Sequence, residues 1–168
     1  MAFTSPDFSS ISIIVALSVC VIASFIDVRD RRIPNLITLP TIAGGVVGNL
    51  VWNGTEGLIL SVAGSLVGAL LFSLPVGLLG RGAGDLKLLA AIGALCGPGF
   101  VLWTALWAGA AGGLIAFLVL FSRRRFGVVL AGMVTDAGSG TFPVAQSGIS
   151  LPYAVPIAIG AMLTTLLQ

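Results

Sequence analysis

From residue 88 to residue 121 the chain carries no charged side chain. Residues 8–26, 36–52, 57–79 and 151–167 are likewise free of charge. A helix crosses a hydrocarbon core of roughly 30 Å with about 20 apolar residues, and about 17 is the lower limit. Runs of this length and apolarity make lipid the main solvent. Charged residues are only 8% of the chain, against about 25% for a soluble domain. That is too few to cover a water-facing surface. The expected fold is all-α, a single polytopic helix bundle over residues 1–168 with the bilayer as its partner.

The tract 88–121 is too long for one span, since as a single helix it would measure about 50 Å. Gly97-Pro98-Gly99 is a strong turn signal within it. Breaking it there, into about 85–96 and 100–121, predicts six spans. The basic residues support the break. Arg29, Arg31 and Arg32, then Arg81 and Lys87, then Arg123, Arg124 and Arg125 all fall on one side in the six-span arrangement. Lys and Arg mark cytoplasmic loops, so both termini are placed outside the cytoplasm of a bacterial inner membrane. With five spans the last cluster would lie opposite the others. The N-terminus lacks the basic stretch of a signal peptide, and the first apolar run is read as a retained span. The fourth span, about 12 residues or 18 Å, crosses the core only if the bilayer thins or water enters beside it. The glycines within spans, Gly44, Gly45, Gly64, Gly68, Gly109, Gly112 and Gly113, read as sites of close helix packing. Residues 126–134, the apolar start of a loop, suit the membrane surface.

Several function classes drop out. The chain has no histidine, and its two cysteines, Cys20 and Cys96, lie far apart in apolar runs. A zinc site and a Ser–His or Cys–His hydrolase both lack their residues, and no cofactor is expected. A nucleic-acid binder needs a basic soluble surface, which this chain does not have. Both cysteines read as small packing residues.

Six acids remain: Asp7, Asp27, Asp30, Glu56, Asp85 and Asp136. Asp7 and Glu56 fall in outer loops. Asp30 sits among arginines that balance it, and Asp136 lies in a loop. Asp27 ends the first span and Asp85 opens the fourth, both at the basic side. Ionisable groups at membrane depth are costly and usually functional, although position alone also fits helix capping or interfacial hydration. Gly82 and Gly84 flank Asp85 and predict the close approach of another chain or a substrate backbone. Lys87 reads as an interfacial anchor or as a group that holds substrate or tunes the acids. Two carboxylates in one site share a single proton. One takes a proton from water while the other polarises the carbonyl under attack.

The segment Gly82-Ala83-Gly84-Asp85-Leu86-Lys87-Leu88-Leu89-Ala90-Ala91-Ile92-Gly93 closely resembles the second catalytic motif of the prepilin peptidases, the GxGD membrane aspartyl proteases. Asp27-Val28-Arg29-Asp30-Arg31-Arg32-Ile33-Pro34-Asn35 resembles the first. The family's spacing between catalytic aspartate and proline matches Asp27 with Pro34, not Asp30. Leu151-Pro152-Tyr153-Ala154-Val155-Pro156 resembles its last span. The resemblance implies that Asp27 and Asp85 are catalytic, with Gly82, Gly84, Lys87, Pro34 and Asn35 supporting them. It also implies a type IV pilin-like precursor as partner, cut after a short basic leader at the cytoplasmic face. Larger members also N-methylate the new terminus and carry paired CxxC motifs. This chain has none, and is similar to the short peptidase-only kind of the tight-adherence (Flp-type) pili. The motifs of presenilin-type proteases do not match Phe25-Ile26-Asp27 or Leu151-Pro152-Tyr153. A small transporter whose interfacial aspartates bind cations, or a pilus-assembly scaffold without catalysis, stays open as an alternative.

Overall fold

A computed structural model of the chain describes residues 6–30, 33–79, 83–122 and 154–167. The expectations for Arg81, Gly82, residues 123–150 and Leu151-Pro152-Tyr153 lie outside the described residues. Among the described residues four helices run in order: α1 (Pro6–Asp30), α2 (Asn35–Leu79), α3 (Ala83–Ser122) and α4 (Ala154–Leu167). The first three are long and apolar enough to cross a membrane, and α4 is shorter. Many large apolar side chains of α1 and α2 point outward, Phe25 and Leu36 among them. α3 is the central helix: 61% of its most apolar window is buried, against 22% for α1 and for α2.

Two helices are broken by one glycine each. Gly54 interrupts α2 at φ 62° and Gly97 interrupts α3 at φ 83°, a region that residues bearing a Cβ rarely adopt. Gly54 lies in the loop expected between the second and third spans, and Gly97 in the expected Gly-Pro-Gly turn. The chain reverses at both. Asn49 and Ser61 lie on either side of Gly54, yet both donate to the Ala94 carbonyl, at 3.0 and 2.6 Å. A straight helix would hold residues 49 and 61 about 18 Å apart along its axis. The reversal at Gly97 is read from α4. Ala154 meets Asp27, Gly160 packs on Thr104 and Ala108, and Thr164 reaches Thr104. Along α4, away from Asp27, the contacts step from Ala108 to Thr104. The second part of α3 therefore runs back toward the aspartate end, while its first part leaves it.

Pro98 explains why the polar residue Asn49 is buried in this apolar setting. An α-helical Ala94 carbonyl would accept from the N–H of residue 98, and proline has none. The N–H that would donate to the Leu95 carbonyl, that of Gly99, lies across the Gly97 break. Lipid offers no substitute hydrogen bonds. The Asn49 side-chain amide lies 3.0 Å from the Ala94 oxygen, 3.2 Å from Leu95 and 3.0 Å from Gly45. Asn53 in turn donates to Asn49 Oδ1. The turn in α3 is thus closed by side chains of α2. Asn49→Ala is expected to lower unfolding stability by about 1–3 kcal/mol, the penalty of buried acceptors left unpaired. Thermal unfolding in detergent measures it, and an unchanged midpoint would contradict this account of the turn.

The two hairpins interlock through glycine. A Cβ at Gly64 would meet the Gly93 carbonyl oxygen, one at Gly93 would meet that of Gly64, and one at Gly68 would meet that of Leu89. At Gly45 it would come within 2.8 Å of Ala94 backbone. Gly44, Gly109 and Gly113 do not match the packing expected of them. A Cβ at each meets nothing within 4 Å.

Around this crossing Leu88, Leu89, Ile92, Val101 and Ile157 form the fully buried core, joined by Cys20 and Ala23 of α1. Cys20 is one of these small packing residues, while Cys96 is only half-buried and packs against them.

Candidate active site

Helix α1 ends at Asp30, and Ile33 and Pro34 are not helical. Proline restricts the residue before it to extended backbone, so Ile33-Pro34 turns the chain out of one helix and into the next. The Pro34 carbonyl accepts from the Ile37 N–H at 3.2 Å and opens α2. Asp27 lies one turn before the end of α1 and Asp85 lies in the first turn of α3. Both side chains are buried, at 9% and 8% exposure. Buried carboxylates are rare unless something holds them. The two are close enough for Asp27 to act electrostatically on Asp85.

Asp27 has a further partner. Its Oδ2 accepts the backbone N–H of Ala154 at 3.3 Å, in a buried setting. Ala154 begins α4, and the first amides of a helix have no acceptor inside it. Pro156, in the same first turn, gives up nothing, because its missing N–H would have been unpaired there. The start of α4 therefore sits against Asp27 as a donor. Nothing in residue spacing pointed to this contact, although Leu151-Pro152-Tyr153-Ala154-Val155-Pro156 marked the segment.

The supporting residues divide. Asn35 Oδ1 accepts from Lys87 Nζ at 2.8 Å, which ties the first turn of α2 to that of α3 beside Asp85. Lys87 thus has a protein partner in addition to any interfacial role. Gly84 makes the close approach its neighbours suggested, but to this chain: a Cβ there would lie 3.1 Å from Ile33 Cβ. The chain that comes close to Gly84 in the structure is the connector before Pro34. That contact folds the Ile33-Pro34 turn onto the start of α3 and brings the ends of α1 and α3 together. Asp30 stays apart, exposed and 4.0 Å from Arg29. Ser24 and Asn49 are polar residues that sequence reasoning did not single out. Each is an isolated polar residue in an apolar run, and only that could have marked them.

A pair of buried carboxylates, one held by a backbone amide, has the parts to share a proton and to act on water. The profile of the type IV leader peptidase family matches residues 14–117, a stretch that contains both aspartates. The chain belongs to the type IV leader peptidase family. Family membership and the apolar helices together make it an integral membrane protein.

Several curated relatives are named prepilin leader peptidase/N-methyltransferase. The one from Burkholderia pseudomallei (strain 1026b) is 42% identical over 104 residues, covering 55% of this chain and 33% of that protein. The one from Aeromonas hydrophila is 35% identical over 109 residues, covering 61% and 36%. That from Xanthomonas campestris pv. campestris is 32% identical over 123 residues, covering 66% and 41%. The chain spans between a third and about two-fifths of the length of these relatives. No solved structure matches the chain.

Proposed function

We propose that this protein is a membrane aspartic endopeptidase that removes the short basic leader from type IV pilin-like precursors, of the Flp type, at the cytoplasmic face of the bacterial inner membrane. The observation that supports the reading is that Asp27 and Asp85, two buried carboxylates from different helices, lie near enough to interact electrostatically, within a stretch that matches a leader peptidase family. One carboxylate, ionised, takes a proton from a water molecule as that water attacks the scissile carbonyl. The other, protonated, donates a hydrogen bond to the carbonyl oxygen and then helps protonate the departing amine. No metal enters the scheme.

The site lies at one end of the bundle. Gly97 is 12 residues beyond Asp85 (97 − 85), about 18 Å along the helix, and the Gly54 turn lies beside it through Asn49 and Ser61. In the proposed topology of six passes this far end faces outward with both termini. The aspartate end, with Arg29 and Lys87, faces the cytoplasm. Pro34, Asn35, Gly82, Gly84 and Lys87 support the two acids. The relatives' names also include N-methyltransferase. We assign only cleavage to these residues, because the chain has no paired CxxC motif.

The test is co-expression with an Flp-type pilin precursor in cells that lack other leader peptidases, with the leader followed by gel mobility. The reading expects the shorter mature form, and expects it to persist with the purified protein in the presence of a chelator. An unprocessed precursor would contradict the peptidase assignment, and inhibition by chelator would contradict the metal-free mechanism.

A further inference from the structure

Helix α4 is gripped at a single residue from two points on α1. Ser24 and Asp27 stand at i and i+3, so they share one face of that helix. Asp27 Oδ2 accepts the Ala154 N–H, and the Ser24 hydroxyl lies 2.9 Å from the Ala154 carbonyl oxygen. The same hydroxyl is 2.7 Å from the Cys20 carbonyl, the ordinary back-bond of a serine within a helix, and its single proton is shared between the two carbonyls. The reach to Ala154 is not of that local kind, since it joins residues 130 apart in sequence. The side chain of Ala154 is a buried methyl that offers little to set the rotation of its peptide groups. The Ala154 N–H has no acceptor within α4, so its direction depends on the contact with Asp27, and Ser24 adds a second contact from α1 at the next peptide group.

This arrangement bears on how Asp27 faces its partner. A carboxylate has two oxygens, and Oδ2 is occupied by the Ala154 amide. In the proposed scheme the other, Oδ1, takes the proton or water shared with Asp85. If Ala154 turned, Oδ2 would lose its donor and the carboxylate would be free to rotate. Acid–base catalysis depends on such placement to well under 1 Å.

We infer that Ser24 is a positioning residue for the peptidase: by holding the Ala154 carbonyl it keeps the Ala154 N–H on Asp27 and so fixes which carboxylate oxygen faces Asp85. The inference rests on the proposed peptidase function, and Ser24 itself touches neither water nor substrate in the scheme.

The test compares Ser24→Ala with Ser24→Thr, which keeps the hydroxyl. Cleavage of a detergent-solubilised precursor gives kcat and KM, and amide hydrogen exchange reads the protection of Ala154 in the full protein without substrate. Ser24→Ala is expected to lower kcat about two- to tenfold, the worth of one hydrogen bond, with KM within about twofold because substrate contacts are untouched. Exchange at Ala154 is expected to quicken by a similar factor, and Ser24→Thr to restore both. Wild-type kcat in Ser24→Ala, unchanged exchange, or a threonine variant as impaired as the alanine one would overturn the positioning role while leaving the peptidase in place. A wild-type protein that cleaves nothing would overturn the peptidase reading and with it this role, whatever the exchange data show.

Discussion

Asp27→Asn and Asp85→Asn are each expected to slow leader removal by about 10²–10⁴-fold, the usual worth of general acid–base catalysis. Asparagine keeps the size of the side chain and its place in the packing but cannot exchange a proton. The double variant is expected to be no worse than the poorer single one, because groups that act as a unit are lost together. Multiplicative losses would mean that the two acids work independently. Asp30→Ala is the matched control. Its carboxylate lies beside Arg29 at the surface, where an ion pair is worth at most about 1 kcal/mol, so processing is expected within about twofold of wild type. Asp136→Ala is expected to keep processing as well. The measurement is the initial rate of precursor conversion at equal folded protein.

The second large effect concerns the fold. Gly93→Val is expected to prevent assembly of the bundle. A Cβ at residue 93 would run into the Gly64 carbonyl, and the reciprocal contact holds at Gly64. Ordinary overpacking costs about 1–3 kcal/mol because side chains shift. Here the obstacle is backbone on both sides, so relief requires separating α2 from α3, and the expected loss exceeds about 4 kcal/mol. Gly109→Val offers the contrast, since nothing lies within 4 Å of a Cβ there. Expression level and thermal unfolding in detergent distinguish them: loss of folded protein for Gly93→Val and near-wild-type behaviour for Gly109→Val. A folded Gly93→Val protein of unchanged stability would contradict the backbone contact between α2 and α3.

These two results probe features of different visibility in the sequence. The aspartates were legible because an acid at the edge of an apolar run has few bland explanations, and because glycine and proline stood at family spacings around them. The break at Gly97 was legible because the tract is too long for one span and Gly97-Pro98-Gly99 lies within it. The pairing of Gly64 with Gly93 was not. Glycine spacing in α2 announced a close approach, but it does not name the partner helix. Gly109 and Gly113 carry the same signal without meeting anything. Gly84 announced the close approach of another chain or a substrate backbone, and its spacing did not name Ile33 as a neighbour. The Asn49 contacts to Ala94 and Leu95 and the grip of α1 on Ala154 join residues distant in sequence, and only the folded chain brings them together.

The peptidase account depends above all on Asp27 and Asp85 lying side by side in the folded protein. A direct check replaces both by cysteine, in a background where Cys20 and Cys96 are alanine, and treats membranes with a short homobifunctional thiol reagent. Insertion of a protease site in the sequence between α3 and α4 would not report the link, but a site between α1 and α3 would. The account predicts that the protease-nicked chain stays joined in the double-cysteine protein and separates in either single-cysteine protein. Separation in all three, with both cysteines shown to react singly, would contradict the shared carboxylate site.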